Sequence, residues 1–166
     1  MRALIAGLGN VFHSDDGFGV AVAEALRDTD LPQGVEVRDF GIRGVHLAYQ
    51  LLDGYDLLVI VDTVQRGHAP GSLYVIEHGP APARDEPGGS LMDAHDMAPD
   101  EVLALVPMLG GTLGRTVVVG CEPAELGAGM GLSADVARSV ERAAGLVVNI
   151  VRSTRRPGTP LSAGGK

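Results

Sequence analysis

Ala3-Leu4-Ile5-Ala6-Gly7-Leu8-Gly9-Asn10-Val11-Phe12-His13-Ser14-Asp15-Asp16-Gly17-Phe18-Gly19 is the stretch whose reading decides the fold. The apolar opening reads as a buried strand, and an alanine-rich helical pattern follows the glycines. A strand-to-helix crossing of this kind sits at the carboxyl end of a strand, where open α/β sheets place their ligands. Its four glycines and paired aspartates are poor material for a core. Two adjacent carboxylates in a loop must be solvated, capped or bound to a cation. We read Asp16 as facing a metal.

Outward from this hub, strands and helices alternate. Residues 20–27 carry apolar side chains at helical spacings among good helix formers, with Asp15 or Asp16 placed to cap the first turn. Residues 35–40 alternate with period two, the pattern of a strand near an edge with one face exposed. Gly41-Ile42-Arg43-Gly44 opens a helix over 45–52. Residues 57–61 are an unbroken apolar run, as in a central parallel strand buried on both faces, and the run ends at Asp62. A further strand over 72–76 follows a connection too short for a crossover helix, so it is expected antiparallel to its predecessor. Residues 77–97 shift to Pro, Gly, Ala and charge, and a patternless stretch of that length is usually functional or disordered. Pro99-Asp100-Glu101 starts another helix, residues 116–120 form a buried strand, and Ser133 caps the last helix.

This order predicts a three-layer α/β/α sandwich around a mostly parallel, twisted sheet of about five strands. The expected organisation is one domain over residues 1–156 and a mobile tail over 157–166. The chain has 166 residues, 45% of them hydrophobic, which suits a single folded core. A net charge of −8 argues against a nucleic-acid surface, which needs clustered Lys and Arg. The small group Arg152, Arg155 and Arg156 reads as the cationic end of the last helix. Cys121 is alone, so there is no internal disulfide and no thiolate cluster. No run approaches a membrane span and the opening run is short for a secretory signal, so a soluble, monomeric cytoplasmic protein is expected.

Three side chains recur at the expected carboxyl rim: Asp16 after the first strand, Asp62 at the end of the third, and His95 in the long loop. Two carboxylates and one imidazole make a borderline-hard set for divalent Ni, Zn, Fe or Mn, with positions left for substrate. Each also has a plainer reading. Asp16 could be a helix cap, Asp62 a turn cap and His95 a surface residue. Asp15 reads as a cap or a supporting carboxylate, and Asp93 or Asp96 could orient His95. Glu122 follows the last strand on the same rim, with an ordinary loop carboxylate as its plainer reading. His13, His46, His68 and His78 fall near turns and are weaker ligand candidates, while Cys121 reads as apolar filler. A dinucleotide loop is the rival reading of Gly7-Leu8-Gly9, with Asp39 as the ribose-binding acid. It fails because the fingerprint's third glycine is Phe12 and two aspartates stand where a pyrophosphate wants uncontested amides.

Gly7-Leu8-Gly9-Asn10 with Asp15-Asp16-Gly17-Phe18-Gly19 resembles the opening signature of the nickel-iron hydrogenase maturation endopeptidases. The turn from Asp39 to Gly44, Asp62 after an apolar strand, Pro70-Gly71 before a strand and His95 continue the likeness over nearly the whole chain. The resemblance implies a twisted five-stranded sheet between helices, with Asp16, Asp62 and His95 as metal-binding and catalytic residues. It implies one cut in a hydrogenase large-subunit precursor, removing a short C-terminal extension. The nickel would be carried by that substrate as a recognition handle rather than held permanently. Either the metal activates a water, or Asp16 or Asp62 acts as general base. Two features depart from the family pattern. The first ligand is often Glu, so Asp16 has a shorter reach. The turn is usually Gly-Thr-x-Gly, and Arg43 in the present version is expected to help select the partner. A metal-dependent hydrolase of another small substrate, or a non-catalytic nickel-binding assembly chaperone, are the alternatives.

Overall fold

The apolar runs of the first and third strands are continuous because both strands lie inside a sheet covered on two faces. The computed structural model describes residues 1–79 and 98–154. In chain order these form β1 (Ala3–Leu8), α1 (Phe18–Leu26), β2 (Val35–Gly41), α2 (Gly44–Leu51), β3 (Leu57–Thr63), β4 (Leu73–His78), α3 (Pro99–Met108), β5 (Arg115–Cys121) and α4 (Ala134–Thr154). The five strands lie in the order β2-β1-β3-β5-β4. All neighbours are parallel except β4, which is antiparallel to β5.

Alternation along the strands assigns residues to two cores. Ile5, Val59 and Val61 face α1 and α4, where they meet Phe18, Val22, Val147 and Val151. Leu4, Leu58 and Ile60 face α2 and α3, where they meet Leu47, Leu51, Val102 and Val106. Helices therefore cover both faces, as the sequence pattern predicts. In α4 the buried positions Val136, Ser139, Ala143, Val147 and Val151 recur every three or four residues, a single stripe laid on the sheet. Among the described residues no helix is long and apolar enough to cross a membrane.

Some expectations shift on contact with the structure. The strand after β3 does run antiparallel to it, but its hydrogen-bonded neighbour is β5. The nine-residue connection carries the chain past the place that β5 later fills. Glu77 and His78, expected to begin the long loop, belong to β4. There Glu77 pairs with Arg115 across the sheet, and His78 Nδ1 lies 3.8 Å from Asp100. The tail expected at 157–166 lies outside the described residues.

Two glycines of the hub serve close packing. A Cβ on Gly19 would stand 2.2 Å from the Val61 carbonyl oxygen and 2.3 Å from that of Leu8, so only glycine lets α1 press against β1 and β3. Gly9 has φ of +126°, and a Cβ there would overlap the Asp16 carbonyl oxygen at 1.8 Å. The chain leaves β1 to form β2 on one side of the sheet and returns to form β3 on the other. The carboxyl ends of β1 and β3 thus flank the point where strand order reverses, and a crevice opens there.

Candidate active site

Asp16 reaches the rim from a 3-10 turn, Ser14–Gly17, which precedes α1. Neither Asp15 nor Asp16 caps that helix: its N-cap is Gly17, with no side-chain cap bond. The Asp16 carboxylate is instead oriented from two sides. Its Oδ2 accepts the Asn10 backbone N–H at 2.8 Å, and its Oδ1 accepts the Thr63 hydroxyl at 3.1 Å. Asp62 is the penultimate residue of β3 and is 9% exposed. Its Oδ1 accepts the Thr63 N–H at 2.8 Å. Thr63 therefore touches both carboxylates, through its amide and its hydroxyl.

Asp16 and Asp62 line one cleft of about 260 Å³ at the crevice. Gly9, Gly41, Ile42, Ala98 and Pro99 also line it. Two carboxylates on a shared cavity, each anchored by short hydrogen bonds, are suited to hold a cation or to accept a proton from a bound water. His95 lies outside the described residues. Among the described residues no three His, Cys, Asp or Glu side chains are grouped to hold a metal.

The neighbouring acid has a different task. Asp15 is fully buried, and its carboxylate accepts the N–H groups of Ala124 at 2.8 Å, Glu125 at 2.9 Å and Ser133 at 2.7 Å, together with the Ser133 hydroxyl at 2.9 Å. Burial is the largest single influence and would raise its pKa, yet these bonds outweigh it and hold the carboxyl below its ordinary value. The Ser133 hydroxyl, expected to cap α4, is thus engaged with Asp15. More bonds tie the same two loops. Ser14 donates its N–H to Gly129 and its hydroxyl to Gly127, and Gly129 donates back to Phe12. Ser14 has φ of +54°, a left-handed conformation that this lattice of bonds imposes.

Glu122 is also structural. It is 6% exposed and accepts the Tyr74 hydroxyl at 2.6 Å and the N–H groups of Arg66 at 2.8 Å and Gly67 at 3.0 Å. The Tyr74 hydroxyl, then the Arg66 amide, hold its carboxyl below the usual range. Burial, followed by the hydrogen bond to Glu122 and then its charge, pushes Tyr74 up to about 12. Cys121 is buried, and that burial, reinforced by the charge of Asp15, raises its thiol to about 11. It is inert filler, as its surroundings in the sequence indicate. Thr63 is the residue that sequence reasoning missed. Its position directly after a strand-ending Asp carries no signal of a bond to a carboxylate 47 residues away.

Residues 20–150 match the family model HycI, hydrogenase maturation protease. The hydrogenase expression/formation protein HupD of Rhizobium leguminosarum bv. viciae is 31% identical over 154 residues, which are 92% of this chain and 75% of that protein. The protein of the same description from Rhodobacter capsulatus is 33% identical over 126 residues, 75% of this chain but 59% of that protein's length. The solved hydrogenase maturating endopeptidase HybD from Escherichia coli superposes with a TM-score of 0.74 at 26% identity, covering 93% of this chain and 94% of that one. With a model match over residues 20–150, which hold four of the five strands, the chain belongs to the hydrogenase maturation protease family.

Proposed function

We propose that this protein is an endopeptidase that cuts the C-terminal extension from the large-subunit precursor of a nickel-iron hydrogenase, reading nickel that the precursor already carries. The single observation that carries this reading is the pair Asp16 and Asp62 on one cleft, each with an oxygen fixed by Thr63. Family membership supplies the reaction class, peptide-bond hydrolysis. Carboxylates are hard, anionic donors, so a pair of them on one cleft suits a divalent ion brought in by a substrate.

His95 is the third ligand in this proposal. It lies outside the described residues, and the resemblance of the sequence to the family, with Asp16 and Asp62 on one cleft, is what supports it. Two carboxylates and one imidazole leave coordination positions that substrate thiolates can occupy. The chain's own residues then hold the scissile bond beside the ion, and a carboxylate of the pair accepts the proton of the attacking water. Nothing in this scheme requires a nickel ion resident in the free protein.

The test is to incubate the protein with the nickel-loaded precursor and measure the intact mass of the large subunit. Loss of a C-terminal fragment supports the proposal; an unchanged mass contradicts it, and a stable complex without cleavage would point to an assembly chaperone. Thr63 offers a finer check. Thr63→Val keeps the backbone N–H to Asp62 but removes the hydroxyl on Asp16. Processing is expected to slow by about tenfold, as for lost supporting bonds around metal ligands, with the fold retained.

A further inference from the structure

The turn that walls the cleft has a second cavity on its other side, of about 420 Å³. Gly41, Ile42 and Gly44 face the cleft, whereas Asp39, Phe40 and Arg43 face the second cavity. The remaining walls include Arg27 beyond α1, Arg38 of β2 and His46 of α2. Since β2 is the first strand of the sheet, this cavity runs beside an edge that pairs with no other strand among the described residues.

Its charge runs against that of the protein. The chain carries −8 overall, yet three of its 13 Lys and Arg converge here around one carboxylate. Arg38 is occupied, donating to Glu36 at 3.1 Å and to Gln50 at 2.9 Å. Arg43 donates only to neutral carbonyls, those of Phe40 at 3.3 Å and Asp39 at 3.2 Å, which fix the guanidinium without neutralising it. The side chains of Arg27 and His46 make no hydrogen bond or ion pair among the described residues. Guanidinium groups without a counter-charge call for carboxylates. An open strand edge offers unpaired main-chain groups beside them, the geometry on which an extended peptide docks and a small inorganic anion does not.

We propose that this cavity is a docking site for an acidic, extended peptide segment laid along the outer edge of β2. Its carboxylates face Arg27 and Arg43, and its main chain runs beside β2. The proposal rests on the processing reading only for the owner of the segment, the precursor whose scissile bond enters on the other side of the same turn. Arg43 recognises the partner from this outer side, outside the cleft.

Binding is measured on the full chain by fluorescence anisotropy, with a fluorescein-labelled octapeptide alternating Glu and Val and a counterpart carrying Lys for each Glu. The Glu peptide is expected to bind saturably and more weakly as salt is raised, and the Lys peptide not to bind. Arg27→Glu and His46→Glu are each expected to weaken binding by about tenfold, the cost of setting like charges against the ligand. Both residues are exposed, so the variants keep the wild-type circular dichroism; Arg138→Glu on α4 is the control and binds normally. Equal binding of the Lys peptide, unchanged affinity in both reversals, or displacement of the peptide by an equal concentration of inorganic phosphate would each overturn the proposal. No cleavage is involved. A chain that binds this peptide but leaves the precursor intact contradicts the processing reading alone, and one that cuts the precursor but ignores the peptide contradicts this inference alone.

Discussion

Asp62→Asn is expected to slow processing of the precursor by roughly 1,000-fold, the range associated with losing a positioned acid or base, while the protein stays folded. The amide is isosteric with the carboxylate, and its carbonyl oxygen still accepts the Thr63 N–H that Asp62 accepts at 2.8 Å. What disappears is the negative charge facing the cleft, and with it both the affinity for a cation and the capacity to take a proton. Asp16→Asn should behave alike, since Asn10 and Thr63 donate to its two oxygens and one of them survives as a carbonyl. Initial rates of fragment release, with circular dichroism as the folding control, decide this. A variant that processes at the wild-type rate removes Asp62 from the chemistry.

Asp15→Asn should have the opposite profile, a large loss of stability. In the native protein one carboxylate takes four donors from Ala124, Glu125 and Ser133. An asparagine turns an NH2 group towards donors, leaving at least two buried N–H or O–H groups unmet. At one to three kcal/mol for each unmet buried group, the expected cost is about 3 kcal/mol, read as a lower urea midpoint. For a domain of this size that corresponds to a fall of about 10 °C in melting temperature. The acid limb of the stability curve carries a second signature. The folded carboxyl lies below its ordinary 3.8, so its contribution is complete above that value and is lost as pH falls further, through the depressed folded value. In Asp15→Asn that part of the acid limb should flatten. A variant as stable as the wild type, with the same acid limb, would show that Asp15 does not pin the two loops.

Much of the architecture was legible because it follows from local pattern. The unbroken run ending at Asp62 is apolar because β3 is buried on both sides, and the alternation of residues 35–40 reflects the edge position of β2. The short connection to β4 fixed its direction but could not reveal that β5, more than 35 residues later, would become its neighbour. Long-range polar partnerships were the illegible part. Asp15 and Asp16 are adjacent and chemically identical in the sequence, yet one is bonded to residues over 100 positions away and the other faces the cleft. Glu122 looked like a rim candidate until the 66–67 turn and Tyr74 were found to occupy it. The hub glycines carried no sign of their contacts in the sequence: Gly9 and Gly19 let the chain pack against Asp16, Leu8 and Val61.

The central claim is that the carboxylate pair reads nickel carried by the substrate. The direct measurement is the initial rate of C-terminal fragment release from the same precursor, nickel-loaded and nickel-free, with the metal-free protein. The account predicts cleavage of the loaded precursor at least about 100-fold faster, the scale on which metal-dependent positioning and proton transfer act. Equal rates on the two precursors would contradict it.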